Sequence, residues 1–315
     1  MDNLLTGIKS TGRPHLGHVI GIISPTIFLI NKEMFQKQFI LIANLHTLTN
    51  YNFIKNNKKN SYKILAAWLA CGLDYKKVIC YRQSDIPEIT ELLWFFSAIF
   101  PYNRLKLVHS FKEYKTNNKI INTATLTYPI LMAADILISK AEIILVGKDQ
   151  LQHLEIARKI AKKINQIKRI FTIPKAKIFT KLIKGTDGKK MSKSKKNIID
   201  IFSKKKQIKK QIFKIKTQNK FLNEENKLLT DNLYNIYLNF AGSKKIKNKL
   251  NVGYQHAKEE FYSFLISKFK KERKLYKYYI NKKSKLEKIF KIGATKMKEI
   301  IQPTMKQVRN VFDCS

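Results

Sequence analysis

Residues 4–27, LLTGIKSTGRPHLGHVIGIISPTI, pass from a short apolar run through a turn into a helical pattern. Residues 4–8 have the length and composition of a buried strand. Gly12 and Pro14 mark the turn. Behind it, apolar residues recur at helical spacing, at Leu16, Val19, Ile20, Ile23 and Ile27. This order predicts the first strand–helix unit of an α/β protein.

Three further apolar runs predict strands at 39–43, 78–81 and 143–146. Helical segments follow them over 61–71, from Pro87 onward, and over 150–163. Short apolar strands between helices indicate a parallel sheet that is covered on both faces. The predicted fold class is therefore α/β, with a Rossmann-like doubly wound parallel sheet.

The strand pattern ends at about Ser203, and residues 232–240, 256–268 and 292–312 predict helices. We therefore expect a sheet domain over 1–195 and an all-α helical domain over 196–290. A C-terminal helix over 291–315 is predicted to pack back on the sheet domain.

Polar residues stand where the predicted strands end. They are His15 and His18, His46, residues 82–85 and residues 148–150. Ligands of doubly wound sheets bind beyond the carboxyl ends of the strands. These residues are therefore predicted to share one cleft.

The chain is strongly basic, with 62 Lys+Arg against 22 Asp+Glu and a formal net charge of +40. Residues 1–100 hold 11 basic and 6 acidic residues, whereas residues 189–220 hold 13 Lys and one acid, Asp200. Such a field favours polyanions such as RNA. A general enrichment in Lys, Asn and Ile explains part of the charge, but explains its concentration after Lys189 less well.

The three cysteines, Cys71, Cys80 and Cys314, form no CxxC motif and no even disulfide set. This usage predicts a reducing compartment. The opening residues lack the charged region of a signal peptide, and no apolar run reaches the ~18 residues of a membrane span. We expect a cytoplasmic protein that does not associate with membranes.

The segment Pro14-His15-Leu16-Gly17-His18 lies where a strand feeds the first turn of a helix. Free backbone N–H groups and the positive dipole end favour phosphate there. Gly17 allows a ligand to approach the backbone, and two imidazoles three residues apart can face the same oxygens. The simpler interpretation is that both histidines only cap or line the helix.

A second motif, Lys190-Met191-Ser192-Lys193-Ser194, follows the turn at 185–188. A mobile cationic loop can close over a triphosphate and neutralise the charge that develops on pyrophosphate. Taken alone, the segment is equally consistent with a solvated linker. The two motifs together, in this order, suit an ATP whose α-phosphate is attacked.

Residues 128–138, YPILMAADILI, place Tyr128, Met132 and Asp135 on one helix face. Asp135 stands in an otherwise apolar run, so a buried carboxylate there needs a hydrogen-bond donor. A bound indole N–H is one such donor, and Met132 can pack against the ring. An internal partner, such as a backbone amide or a lysine, is the alternative.

Both motifs resemble those of the class I aminoacyl-tRNA synthetases. Four segments are similar to the tryptophanyl-tRNA synthetases of bacterial type: TGIKSTG at 6–12, NLH at 44–46, YPILMAAD at 128–135 and VGKDQLQH at 146–153. The segment at 128–135 is unlike the tyrosyl branch. The resemblance is clear over about residues 1–200 and continues faintly at 232–237 and 293–296.

The resemblance implies catalytic roles for His15, His18, Lys190 and Lys193. It places further residues around ATP: Lys9, Ser10, Thr11, Gly17, Gly147, Lys148, Asp149, Ile178, Met191, Ser192 and Ser194. It places others around tryptophan: Gly7, His46, Tyr128, Met132, Asp135, Val146 and Gln150. His18 stands where the family commonly has Asn, Lys148 where an acid is usual, and Ser10 where proline is usual.

The activity implied is tryptophan–tRNA ligation, in which L-tryptophan attacks the α-phosphate of ATP and the aminoacyl group then passes to tRNA. The resemblance further implies Mg²⁺ bound with ATP as a substrate complex, no tightly bound cofactor, no dedicated metal site, and a homodimer. It makes 1–195 the catalytic domain and 196–290 the anticodon-binding domain.

Three alternatives stay open on the sequence alone. One is a tyrosyl-tRNA synthetase, and another is a different adenylyltransferase with an HxGH turn. The third is a non-catalytic basic protein that binds tRNA. Exchange of pyrophosphate into ATP with each amino acid in turn separates them.

Overall fold

The computed structural model describes residues 2–108, 122–178, 183–217, 231–240 and 253–314. Five parallel strands form its sheet: β1 Leu4–Lys9, β2 Gln38–Ala43, β3 Ile79–Arg82, β4 Ile143–Val146 and β5 Lys175–Ile178. Their spatial order is β3-β2-β1-β4-β5. Strands β2 and β3 lie on one side of β1, and strands β4 and β5 lie on the other. This reversal opens a crevice at the carboxyl end of β1, and the predicted fold class is confirmed.

The helices of the described sheet-forming part are α1 Leu16–His18, α2 Ser24–Asn31, α3 Asn57–Ala70, α4 Glu88–Ile99, α5 Tyr102–Lys106, α6 Thr123–Ile138 and α7 Leu151–Ile167. A π-helical turn, Val19–Ile23, joins α1 to α2. Short 3-10 turns at Leu45–Thr49, Tyr51–Asn56, Gln83–Asp85 and Lys148–Gln150 follow the strand ends or precede helices.

The later part of the chain is helical wherever it is described beyond residue 203. Its helices are α8 Lys205–Phe213, α9 Asn232–Tyr237, α10 Tyr254–Lys268, α11 Lys270–Asn281 and α12 Lys283–Val311. The predicted loss of the strand pattern after Ser203 is thus confirmed for these residues. None of the described helices is both long and apolar enough to cross a membrane.

Strand β5 was missed by the sequence analysis. Its sequence, KAKI, carries two lysines, and the strand lies at the edge of the sheet beside β4. Lysine is common on edge strands because it discourages pairing with other chains. Only the hydrogen bonds to β4 identify this segment as a strand.

The long helix α12 packs on both halves of the core. Leu286 and Phe290 join the apolar cluster formed with α3 and α10. Met297 and Ile301 join the cluster formed with α4, α6 and α7. Between them, Gly293 faces β3 so closely that a Cβ there would lie 1.9 Å from the carbonyl oxygen of Cys80. Helix α12 runs through the predicted boundary at 290, and the three domain boundaries stay predictions.

Candidate active site

A cleft opens at the carboxyl end of β1. Although β1 is the central strand, Gly7 and Lys9 are exposed while their neighbours Thr6 and Ile8 are buried. A Cβ at Gly7 would lie 2.9 Å from the carbonyl oxygen of Leu41, so a side chain there would collide with β2. Exposed positions on a central strand indicate a space that a ligand could occupy.

Lys9 lies on the floor of this cleft, with its Nζ 4.1 Å from the centre of the Tyr128 ring. The cleft walls deprive the ammonium of hydration, and this lowers the pKa of Lys9 to about 8. Asp149 opposes the shift, and the charge of Lys190 adds to it. Three charged groups from different segments thus lie around one cleft.

His15 and His18 are stacked at a tilt, with ring centres 3.8 Å apart. The Nδ1 atoms of both rings are buried and have no hydrogen-bond partner among the described residues. Burial lowers the pKa of His15 to about 3 and that of His18 well below its ordinary value, and the lysines of the second motif add to the effect. Both imidazoles are therefore neutral at physiological pH, and each can offer an N–H to an anion.

The helix that follows these histidines differs from the expectation in two ways. The N–H of Leu16 is not free for a ligand, because it donates to the carbonyl oxygen of Ile199 at 2.8 Å. The helix also begins as only one turn, α1, before it widens into the π-helical segment Val19–Ile23. Such π segments are frequent at functional sites.

The second motif lies in a loop that Asn197 fixes from inside. The amide nitrogen of Asn197 donates to Asp187 Oδ1 at 2.7 Å and to the carbonyl oxygen of Lys190 at 3.1 Å. Its amide oxygen accepts from the N–H of Ser192 at 2.7 Å. Asn197 is buried. This role of Asn197 was not predicted from the sequence, where the one signal for it was an Asn at the end of a lysine-rich loop.

Met191 anchors the loop on the first motif. Its side chain is buried, and its sulfur lies 3.6 Å from where a Cβ of Gly17 would stand. The loop therefore packs against the histidine turn, so the structure brings together two motifs that are far apart in sequence. Ser194 is exposed and Ser192 is half-buried, and their hydroxyls share a hydrogen bond of 2.9 Å.

The two loop lysines reach opposite walls of the cleft. Lys190 Nζ donates to Asp149 Oδ2 at 2.9 Å, beyond the end of β4. Lys193 Nζ lies 3.4 Å from Thr11 Oγ1, beyond the end of β1. Burial lowers the pKa of Lys193 to about 8, Asp200 opposes this, and the charges of Lys63 and Arg13 add to it. The loop thus places two cations across the cleft.

The remaining residues predicted around ATP occupy different positions. Gly147 and Asp149 border the cleft, where hydrogen bonds from Lys190 and Gln150 outweigh burial and lower the pKa of Asp149. Lys148 is exposed, and Ile178 pairs with Val146 at the end of β5. Ser10 is fully buried, and its hydroxyl donates to Asn57 Oδ1 at 2.9 Å. Their part in ATP binding stays a prediction.

Asp135 is buried on α6 and has two internal partners. His46 Nε2 lies 2.7 Å from Oδ2, and Gln83 Nε2 lies 2.9 Å from both carboxylate oxygens. Burial raises the pKa of Asp135, and the hydrogen bonds from His46 and Gln83 oppose the rise. Burial likewise lowers the pKa of His46. The internal partners are therefore an imidazole and an amide, neither the backbone amide nor the lysine that was considered.

Tyr128 and Gln150 extend this group toward β4. The Tyr128 hydroxyl donates to Gln150 Oε1 at 3.1 Å, and His153 Nδ1 lies 3.0 Å from the same oxygen. The ring of Tyr128 meets the edge of His46 at 4.7 Å between centres. Met132 and Val146 are partly buried beside these residues in the core. All seven residues predicted around tryptophan thus come from elements that border the cleft.

Comparison with known proteins identifies the relatives of this chain. Residues 3–302 match the family model of class I tRNA synthetases (W and Y). The chain is 37% identical over 314 residues to the tryptophan–tRNA ligase of Campylobacter jejuni strain RM1221, covering 97% of this chain and 98% of that protein. It is 36% identical over 321 residues to that of Fusobacterium nucleatum, covering 99% and 98%.

The crystal structure of tryptophanyl-tRNA synthetase from C. jejuni complexed with ADP and tryptophan is similar to this structure, with a TM-score of 0.88, 36% identity and 99% of both chains covered. A tyrosyl-tRNA synthetase from Archaeoglobus fulgidus shares the fold at a TM-score of 0.65 and 19% identity.

Proposed function

The chain belongs to the class I tRNA synthetases for tryptophan and tyrosine, and on that premise we propose how its residues act on their substrates. Its function is tryptophan–tRNA ligation: ATP activates L-tryptophan as tryptophanyl-adenylate, and the tryptophanyl group then passes to tRNA. The relatives that match nearly its whole length at 36–37% identity are tryptophan–tRNA ligases, and the tyrosyl alternative is not favoured. The juxtaposition of the two motifs across one cleft carries the assignment of the site.

The phosphates of ATP are proposed to lie between the histidine turn and the lysine loop. The Nδ1 atoms of neutral His15 and His18 have no hydrogen-bond partner in the described part of the chain, and imidazole nitrogens suit phosphate oxygens. Lys190 and Lys193 stand on either side and would stabilise the negative charge that develops on pyrophosphate. The tryptophan carboxylate attacks the α-phosphorus as the bond to pyrophosphate breaks, so the enzyme supplies position and charge rather than a nucleophile.

The indole of tryptophan is proposed to bind Asp135. A carboxylate offers about four lone-pair positions, and Asp135 uses three of them: two on Oδ2 and one on Oδ1. Oδ1 thus keeps capacity for an indole N–H. Met132 and Val146 would pack against the ring, and Tyr128 and Gln150 would contact the amino-acid head group, with Gly7 and His46 completing the pocket.

Magnesium is proposed to arrive with ATP. Among the described residues, no three His, Cys, Asp or Glu side chains form a group that could hold a metal. An ion held mainly by phosphate oxygens and water suits the preferences of Mg²⁺, and its positive charge would help to neutralise the triphosphate.

The transfer RNA is proposed to bind the basic helical part, where Lys204, Lys205 and Lys206 are all exposed at the start of α8.

A homodimer is supported by large apolar side chains within residues 94–107, since Trp94, Tyr102 and Leu107 are 77%, 56% and 58% exposed. The three cysteines are free, which supports a cytoplasmic location. Sedimentation of the wild type and of Trp94→Glu tests the dimer, which should dissociate in the variant.

Pyrophosphate exchange with each of the twenty amino acids tests the activity and its specificity. Exchange is expected with tryptophan and with no other amino acid at comparable concentration. Exchange that depends on tyrosine would favour the tyrosyl alternative, and a protein that binds tRNA without any exchange would be non-catalytic.

A further inference from the structure

Gln83 is fully buried in the 3-10 turn that ends β3, and both ends of its amide are bonded. Its oxygen accepts from the N–H groups of Leu45 and His46 at 3.0 and 3.3 Å. Its nitrogen donates to both oxygens of Asp135 at 2.9 Å. Because two backbone N–H groups face the oxygen, the orientation of the amide is fixed, and only its NH₂ end can face the carboxylate.

We infer that Gln83 is a positioning residue of the tryptophan site, which holds Asp135 ionised and with Oδ1 directed at the indole N–H. The inference rests on the proposed role of Asp135. The single side chain of Gln83 links the segment that carries His46 to the helix that carries Asp135, across 37 and 52 residues of sequence. A shift of Gln83 would therefore move the two sides of the pocket relative to each other.

The donor also sets when Asp135 is charged. Burial favours the neutral acid, and the hydrogen bonds from His46 and Gln83 favour the carboxylate. Other titratable groups face Asp135 and His46 from each neighbouring element: Lys9 of β1, Tyr81 of β3, Tyr128 on α6 itself, and His153 of α7. Gln83 and His46 act on Asp135 through hydrogen bonds of 2.9 and 2.7 Å.

Two substitutions at Gln83 should change the pH dependence of the tryptophan KM in opposite directions. Gln83→Met removes the donor, so the pKa of Asp135 should rise further. As pH falls, the tryptophan KM should therefore begin to increase at a higher pH in this variant than in the wild type. In Gln83→Glu, the introduced carboxyl and Asp135 share one proton. That proton replaces the amide donor, so the tryptophan KM should increase as pH rises and the proton leaves.

The experiment measures the KM for tryptophan and for ATP by pyrophosphate exchange from pH 5.5 to 9, with the thermal midpoint of each variant. At pH 7, Gln83→Met should raise the tryptophan KM on the order of 10-fold and leave the ATP KM within about twofold. Ser84→Ala is the matched control, since Ser84 lies in the same turn and contacts Asn44 instead of Asp135. It should leave both profiles unchanged.

Gln83→Glu keeps an acceptor for the N–H groups of Leu45 and His46, so it remains informative if Gln83→Met does not fold. Profiles that coincide with the wild type, or that move in the same direction in both variants, would overturn the positioning role. Asp135→Ala measured in parallel separates the two proposals. If it loses tryptophan while both Gln83 variants behave as wild type, only the role of Gln83 fails. If it binds tryptophan normally, the assignment of Asp135 itself fails.

Discussion

Arg82, the last residue of β3, forms a two-point ion pair with Glu287 of α12. Its Nη1 and Nη2 donate to the two carboxylate oxygens at 3.0 and 2.6 Å, and the Tyr62 hydroxyl donates to the same carboxylate at 2.7 Å. The guanidinium lies 4.7 Å from the centre of the Phe290 ring. Arg82 directly precedes Gln83, so this pair attaches the C-terminal helix to the strand end beside the proposed tryptophan site.

Glu287→Ala is expected to lower the free energy of unfolding by about 2 kcal/mol, because a largely buried guanidinium loses two charge-assisted hydrogen bonds and keeps Asp85, which accepts from its Nε at 2.9 Å. Arg82 and Glu287 are only 8% and 26% exposed. Glu91→Ala is the control, since Glu91 pairs with Arg309 at 33% and 39% exposure and should cost less than about 1 kcal/mol. Urea unfolding measures both. Equal losses of unfolding free energy in the two variants would mean that the Arg82–Glu287 pair stabilises the fold no more than a surface ion pair does.

Asp135→Ala should weaken tryptophan binding by ~10- to 150-fold, the value of a hydrogen bond to a charged partner. It should also lower the thermal midpoint, because His46 and Gln83 lose their acceptor. ATP affinity should stay near that of the wild type. Calorimetric titration of each substrate into the same variant tests this. Equal weakening of tryptophan and ATP would indicate a purely structural role for Asp135.

Lys193→Ala should slow adenylate formation by at least ~10²-fold, as when one donor to a developing negative charge is lost, with little effect on tryptophan affinity. The charged form is the active one, and the pKa of Lys193 is lowered to about 8. The wild-type kcat/KM for ATP should therefore fall as pH rises through about 8. Lys193→Arg keeps its charge at that pH and should move the decline upward, as single-turnover rates across pH would reveal. An unchanged turnover with a raised tryptophan KM in Lys193→Ala would contradict the assignment.

Neutralising Lys204, Lys205 and Lys206 together should flatten the dependence of tRNA affinity on salt. Each phosphate contact contributes ~0.7–0.9 to the slope of log K against log salt, so the slope should fall by up to about 2–3. Adenylate formation should be unchanged. The same change at Lys159, Lys162 and Lys163, which are exposed on α7, removes equal charge elsewhere. Identical slopes for the two triple variants would show only an effect of net charge.

Gly293→Ala is expected to destabilise the fold by about 3 kcal/mol or more, since overpacking against a rigid neighbour forces backbone to move. The added Cβ would lie 1.9 Å from the carbonyl oxygen of Cys80, so α12 would have to shift from β3. Ala294→Gly, at the next position, should cost about 1 kcal/mol for its lower helix propensity. Thermal unfolding compares them. A Gly293→Ala protein as stable as the wild type would show that α12 can shift away from β3 without a loss of stability.

The sequence determined the elements whose pattern is local. Apolar runs specified β1, β2, β3 and β4 because strands of a sheet that is covered on both faces consist mostly of apolar residues. Helical spacing specified helices such as α3, α7 and α10, although not α8 or α11, and the order of strands and helices specified a parallel sheet. The same reasoning led to the histidine motif of the cleft, because polar residues that follow buried strands meet at the carboxyl edge of a parallel sheet. The lysine motif was identified from the turn that precedes it and from its charges.

Only the tertiary structure decided which side chains meet across the chain. Asp135 is hydrogen-bonded to Gln83, 52 residues away, and to His46, 89 residues away, and Arg82 pairs with Glu287, 205 residues away. Strand β5 and the role of Asn197 were not predicted from the sequence either, because an edge strand with two lysines and a single buried amide carry no periodic signal. A hydrogen bond between distant residues depends on how whole elements pack, and the spacing of residues along the chain encodes only the elements themselves.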